Sequence, residues 1–183
     1  MSSDILDMAI VCVDAAEEFV KNVEGFEIYS PCVQNSDLFV LQGGNPKKIG
    51  ITQNRKYQGK LVKDYFGEDV KIVPMIHQAL PYSLEKGQLD GIVIDVTKAI
   101  HLKGDKYPTM MGDDYTTYVL IVNQEFKKTK AFKDFIRLYN QSVQKLNGDE
   151  KKLKKHFQYY TKSVSQEGGL EKWKIKLLSI VEN

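Results

Sequence analysis

The sequence predicts an α/β protein built around a parallel βαβαβ unit, long enough for one ordinary domain or two small lobes. Three observations carry this expectation. Residues 48–96 alternate β-rich runs with helical spacing: Lys48-Ile49-Gly50-Ile51-Thr52-Gln53, Val70-Lys71-Ile72-Val73-Pro74 and Gly91-Ile92-Val93-Ile94-Asp95 are separated by two helical stretches. Glycines punctuate the helices, with Gly67 ending the first and Gly87 the second. Strands alternating with helices imply a parallel sheet with right-handed crossovers. Such sheets take ligands beyond the carboxyl ends of their strands. Thr52-Gln53-Asn54, Met75-Ile76-His77 and Asp95-Val96-Thr97 therefore fall along one rim.

The remaining elements follow in order. Asp7 to Val13 reads as a strand and Ala15 to Val23 as a helix, with Asp14 placed to serve as its N-cap. Phe26 to Tyr29 is a short strand. Asp37 to Gln42 is another, closed by Gly43-Gly44. The helix from Asn54 to Phe66 carries Tyr57, Leu61 and Tyr65 on one stripe, and Pro81 suits the first turn of the next helix. Gly104 to Asp114 reads as a loop, and Thr116 to Val122 as a strong strand. Beyond it, Phe132, Phe135, Ile136, Tyr139, Val143 and Leu146 form an amphipathic stripe. Leu153, Phe157 and Tyr160 form a shorter one. Leu170, Trp173, Leu177 and Ile180 predict a final helix with Trp173 as a core anchor.

Composition bounds the function classes. The chain has 183 residues, 42% hydrophobic and 27% charged, within the ordinary globular range. No apolar run approaches the ~20 residues that cross a bilayer. The first twenty residues carry acidic groups and no Lys or Arg, so no secretory leader is read there. The chain as it stands is expected in the cytoplasm, and exported if its natural start lies upstream. Cys12 and Cys32 both sit among apolar residues. They read as two buried free thiols, with one disulfide or one reactive thiol as the alternatives. Residues 127–183 hold 14 Lys/Arg against 6 Asp/Glu, while residues 1–126 hold 12 against 18. The lysines alternate with the apolar stripes, so the basic half reads as solvated helix faces, with no nucleic-acid partner expected.

The candidate site residues come from the rim. Thr52, Gln53 and Asn54 offer neutral donors where a strand becomes a helix, a point whose free N–H groups and dipole attract anions. Arg55 adds charge. Asn54 serves equally as a helix cap. Asp95 ends an apolar strand and fits either an amine or hydroxyl ligand or a cap for residues 96–102. Asp14 poses the same choice. Tyr57 and Tyr115 are placed to stack on a flat ligand, and Cys12 borders Asp14. His77, His101 and His156 lack metal-ligand spacing, so no metal and no cofactor is expected. No G-x-S-x-G, Walker A or G-x-G-x-x-G motif occurs. Gly43-Gly44-Asn45-Pro46 precedes a strand and reads as a hinge.

This order of elements resembles the type 2 periplasmic-binding-protein fold of ABC-transporter solute-binding components. The resemblance rests on Asp7–Val11 followed by Asp14-Ala15-Ala16, on Asp37–Gln42 and Tyr118–Asn123 as crossing strands, and on Lys47–Thr52 as the opening strand of the second lobe. Leu84-Glu85-Lys86-Gly87-Gln88-Leu89-Asp90-Gly91 is similar to the family's L-x-x-G-x-x-D-G turn. It covers roughly residues 5–147. It implies a first lobe of 1–43 and 116–183, a second of 44–115, and a small-molecule ligand, with anions among the candidates, held in the interlobe cleft. Family members carry two further strand–helix units at the start of the first lobe. Their lack here implies a remodelled first lobe, completion by another subunit or a natural start further upstream; an exposed sheet edge favours pairing with a second copy, a homodimer. The same fold also hosts cytoplasmic enzymes of menaquinone- and thiamine-precursor synthesis, which gives the alternative function: acid–base chemistry through Asp14, Asp95 or His77.

Overall fold

A computed structural model describes residues 6–161 and 170–181. In chain order its elements are β1 (Met8–Cys12), α1 (Val13–Asn22), β2 (Phe26–Gln34), β3 (Asp37–Leu41), β4 (Lys48–Thr52), α2 (Lys56–Phe66), β5 (Lys71–Met75), α3 (Ala79–Glu85), β6 (Gly91–Asp95), α4 (Val96–Ala99), β7 (Asp105–Pro108), β8 (Thr116–Asn123), α5 (Lys130–Asn147), α6 (Glu150–Thr161) and β9 (Lys176–Leu177). The described residues also form 3-10 turns at Phe126–Lys128 and Leu170–Trp173. The chain divides into two compact units. One comprises Met1–Gln34, Tyr115–His156 and Ile175–Asn183, and the other Asn35–Asp114 and Phe157–Lys174.

The second unit holds a five-stranded sheet in the order β5-β4-β6-β3-β7. β4 runs parallel to both β5 and β6, and β3 is antiparallel to β6 and β7. The central strands are buried on both faces, so β3 and β6 read as continuous apolar runs. Side chains alternate across the sheet. Phe39, Ile49, Ile51 and Val93 face Val62, Leu61 and Tyr65 of α2, with the Phe39 ring 4.9 Å from those of Tyr65 and Phe66. On the opposite face a Cβ at Gly50 would lie 2.6 Å from Leu89 Cδ1 and 2.7 Å from Leu80 Cδ2. The missing side chain lets α3 pack directly on β4. Pro74 sits on β5, an edge strand, where its lost N–H costs no ladder bond.

The first unit holds a four-stranded antiparallel sheet, β1-β8-β2-β9. Alternation again divides its faces. Leu120, Val122 and Cys32 pack with Phe132 and Ile136 of α5, and with Ile180. Val119 and Ile121 pack with Ala16 of α1. Thr129 caps α5, its hydroxyl accepting from the Phe132 amide at 3.2 Å.

Several local expectations are corrected. The first helix begins at Val13, so Cys12 takes the N-cap position and Asp14 lies in the first turn. β2 runs to Gln34, well past Tyr29, because three register shifts against β8 let the chain continue through Pro31. Asn54 lies in a turn at φ 65°, and α2 starts at Lys56. The expected loop after Gly104 contains β7, created by pairing with β3. The expected final helix is a 3-10 turn, then Lys174 at φ 59°, then β9 paired with β2. Trp173 is buried, as its anchor reading implied. The Leu170 side chain of that stripe lies outside the described residues. No disulfide forms: Cys32 is a buried free thiol and Cys12 a half-buried one. Among the described residues no helix is long and apolar enough to cross a membrane, and no group of His, Cys, Asp and Glu is placed to hold a metal ion.

Candidate functional site

Strand direction places the site. The carboxyl ends of β4, β5 and β6 lie along one edge of the five-stranded sheet, because these three strands are parallel. β3 is antiparallel, so its amino end reaches the same edge, with Asp37 directly opposite Asp95. β7 brings Pro108 opposite Leu38, and the Thr109 hydroxyl donates to the Asp37 carbonyl at 2.9 Å.

Asp37 is the centre of a buried polar network. Its Oδ2 accepts from the Tyr57 hydroxyl at 2.7 Å and from Gln58 Nε2 at 2.8 Å. Its Oδ1 lies 3.6 Å from Arg55 Nη1 and receives no hydrogen bond. Arg55 Nη1 donates to the Tyr57 hydroxyl at 3.1 Å. Asp37 is fully buried, while the Arg55 side chain keeps 17% of its surface exposed. Burial pushes the Asp37 carboxyl above its ordinary range. The Arg55 cation pulls back most strongly, followed by the Gln58 and Tyr57 donors, and the Asp95 charge pushes further up.

The same network shapes the turn between β4 and α2. Gln58 Oε1 accepts from the Thr52 amide at 2.9 Å. The Gln53 amide donates to the Met75 carbonyl at 2.8 Å, and the Arg55 amide to the Thr52 carbonyl at 3.2 Å. Asn54 fits between them because asparagine tolerates the left-handed region better than most residues. Arg55 occupies the N-cap position of α2 without a side-chain cap bond. The start of α2 therefore turns its amide groups towards the rim, beside the guanidinium of Arg55.

The residues singled out in the sequence divide between the units. Thr52, Gln53, Asn54, Arg55, Tyr57 and Asp95 lie in the second unit, along the rim; Cys12, Asp14 and Tyr115 lie in the first. Gln53 and Asn54 are exposed, and Thr52 is half-buried. Tyr57 is half-buried, its hydroxyl bonded to Asp37 and Arg55. Asp95 caps α4: Oδ1 accepts from the Thr97 amide at 2.9 Å and Oδ2 from the Ser36 hydroxyl at 3.1 Å. His77 is exposed just past β5.

Sequence reasoning passed over Asp37 and Gln58. Both had a signal. Asp37 opens a run of four apolar residues, which draws a carboxylate into the interior. Gln58 stands four and seven residues before Val62 and Tyr65, a polar group on the buried face of a helix. A cavity of about 270 Å³ lies elsewhere in this unit, lined by Gly104, Asp105, Lys106, Tyr107, Lys172 and Trp173. Asp105 pairs with Leu41, at the end of β3 away from Asp37, so this cavity is separate from the rim.

Solved structures share this architecture. The ligand-binding component of an ABC-type import system from Staphylococcus aureus, solved with zinc bound, aligns over 91% of this chain and 64% of its own, with a TM-score of 0.60 and 15% identity. The periplasmic aliphatic sulphonate binding protein of Escherichia coli aligns over 86% of this chain and 61% of its own, with a TM-score of 0.60 and 11% identity. The chain has a periplasmic-binding-protein-like fold. A periplasmic substrate-binding protein of an ABC transporter from Coxiella burnetii agrees, with a TM-score of 0.52 and 14% identity over 70% of this chain. The chain spans less than two thirds of the length of the first two of these structures. No protein-family model and no curated protein matches the sequence.

Proposed function

We propose that the protein binds a small solute at the carboxyl-end rim of its five-stranded sheet, and that the solute carries an anionic group. The observation that carries this reading is the β4–α2 turn: Thr52, Gln53 and the start of α2 face the rim, with the guanidinium of Arg55 beside them. Helix starts and guanidinium groups both favour oxyanions. The fold adds support, since ABC-type ligand-binding components share it. Thr52 and Gln53 supply neutral donors, Arg55 supplies charge, and Asp37 with Tyr57 and Gln58 holds the turn in shape.

A thermal-shift screen of oxyanions, alkyl sulphonates and carboxylates tests it. At least one compound raises the melting temperature, because a ligand bound only by the native state at 100 times its Kd adds about 2.7 kcal/mol. Arg55→Gln removes most of that shift. A flat response across the panel contradicts the reading.

The proposed module is a homodimer joined through β1. Among the described residues β1 is an edge strand of its sheet, and Met8-Ala9-Ile10-Val11-Cys12 carries no charge to discourage strand pairing. Light scattering that gives a monomer mass contradicts this part alone.

A further inference from the structure

We propose that the rim binds its anion together with a proton, the anion at Arg55 and the proton on Asp37. This deepens the reading above and rests on it. The two groups form a buried ion pair with an asymmetric setting. Asp37 is fully enclosed and its Oδ1 receives no hydrogen bond, so the Arg55 guanidinium 3.6 Å away is the chief force holding the carboxylate ionised. Arg55 retains contact with solvent and stands at the rim where the ligand is received.

An anion brought to Arg55 competes for the same positive charge. The carboxylate then keeps its burial but loses the field that offset it, and it takes up a proton. Linkage makes the effect reciprocal: a proton already on Asp37 removes that carboxylate's competition for Arg55 and tightens binding. Asp95, opposite Asp37 across the β3–β6 pair, acts in the same direction because its negative charge also favours a neutral Asp37. The Tyr57 hydroxyl of α2 donates a hydrogen bond to Asp37 Oδ2, and Thr109, just past β7, donates its hydroxyl to the Asp37 carbonyl. Protonated Asp37 keeps its Oδ2 as acceptor for Tyr57 and Gln58, so the turn survives the change.

The test uses sodium sulfate and the alkyl sulfonate methanesulfonate, which keep their charge across the carboxylate range. Calorimetry in buffers of different ionisation enthalpy reads the protons taken up with each anion. The wild-type protein takes up a fraction of one proton. Its affinity rises as pH falls from neutrality, with a limiting slope of about tenfold per pH unit. Asp37→Asn binds the anion with no proton uptake and a flatter pH profile. If that variant does not fold, carbon NMR of the wild-type Asp37 carboxyl gives the same reading: its titration moves to higher pH when anion is added. Binding without proton uptake, or an Asp37 resonance that ignores the anion, overturns the inference and leaves the binding reading standing. No binding of either anion overturns the inference together with the anionic assignment of the rim.

Discussion

The two units bury different things. Among the described residues seven polar ones are nearly inaccessible; Asn35, Ser36, Asp37, Gln58, Ser83 and Thr109 belong to the unit with the parallel strands, and Thr117 to the antiparallel one. The antiparallel sheet closes its two faces with apolar clusters, and its buried Thr117 needs only the Val33 carbonyl at 3.1 Å. The parallel strands end together at one edge, where the chain must turn into helices. Turns and helix starts leave amides to satisfy: Gln58 accepts from the Thr52 amide and Asp95 from the Thr97 amide, and Asp37 in turn holds the Gln58 side chain in place. Polar groups gather where the end of the parallel strands forces the chain to turn.

Substitutions sharpen this contrast. The largest effect is expected for Asp37→Ala, which removes the carboxylate that accepts from Tyr57 and Gln58 and lies 3.6 Å from Arg55. Removing one partner of a buried ion pair costs about 3–5 kcal/mol, read by chemical denaturation. Leu120→Ala, in the dry core of the antiparallel unit, costs about 3 kcal/mol through its cavity. Were the two losses reversed in size, the polar network would matter less to its unit than packing does to the other.

Asp37 also gives the second unit a pH dependence that begins in the carboxylate range. Its carboxyl is raised above the unfolded value of 3.8, so the folded state holds a proton that the unfolded chain releases. The stability from this group is fully present below the unfolded value and is lost as pH rises through the raised folded value. Asp37→Asn flattens that part of the stability profile, and Asp37→Asn compared with Leu120→Ala across pH isolates it. Smaller effects complete the series. Asp95→Ala removes the cap of α4, and Thr129→Ala that of α5, each costing about 1 kcal/mol. Thr117→Val leaves the Val33 carbonyl one donor short, again about 1 kcal/mol.

The sequence displayed what is local. β4, β5 and β6 are short β-rich runs bounded by glycine and separated by helical stripes, and their common edge followed from the alternation alone. β7 and β9 were not legible, because Asp-Lys-Tyr-Pro and Lys-Leu become strands only by pairing with β3 and β2. The helix expected around Trp173 failed for the same reason: pairing with β2 outweighs the spacing of four apolar residues. The rim residues Thr52, Gln53 and Asp95 were visible as strand ends. Asp37 was read only as part of a strand, since the burial of its carboxylate depends on Tyr57, Gln58 and Arg55 arriving from beyond the next strand.

Amide NMR of the labelled protein, titrated with the anion that most raises its melting temperature, tests the central claim most directly. Perturbations concentrated at 36–37, 52–58 and 95–97 are the expected result. Perturbations centred on Gly104–Tyr107, or confined to the antiparallel unit, would contradict a solute site at the carboxyl-end rim.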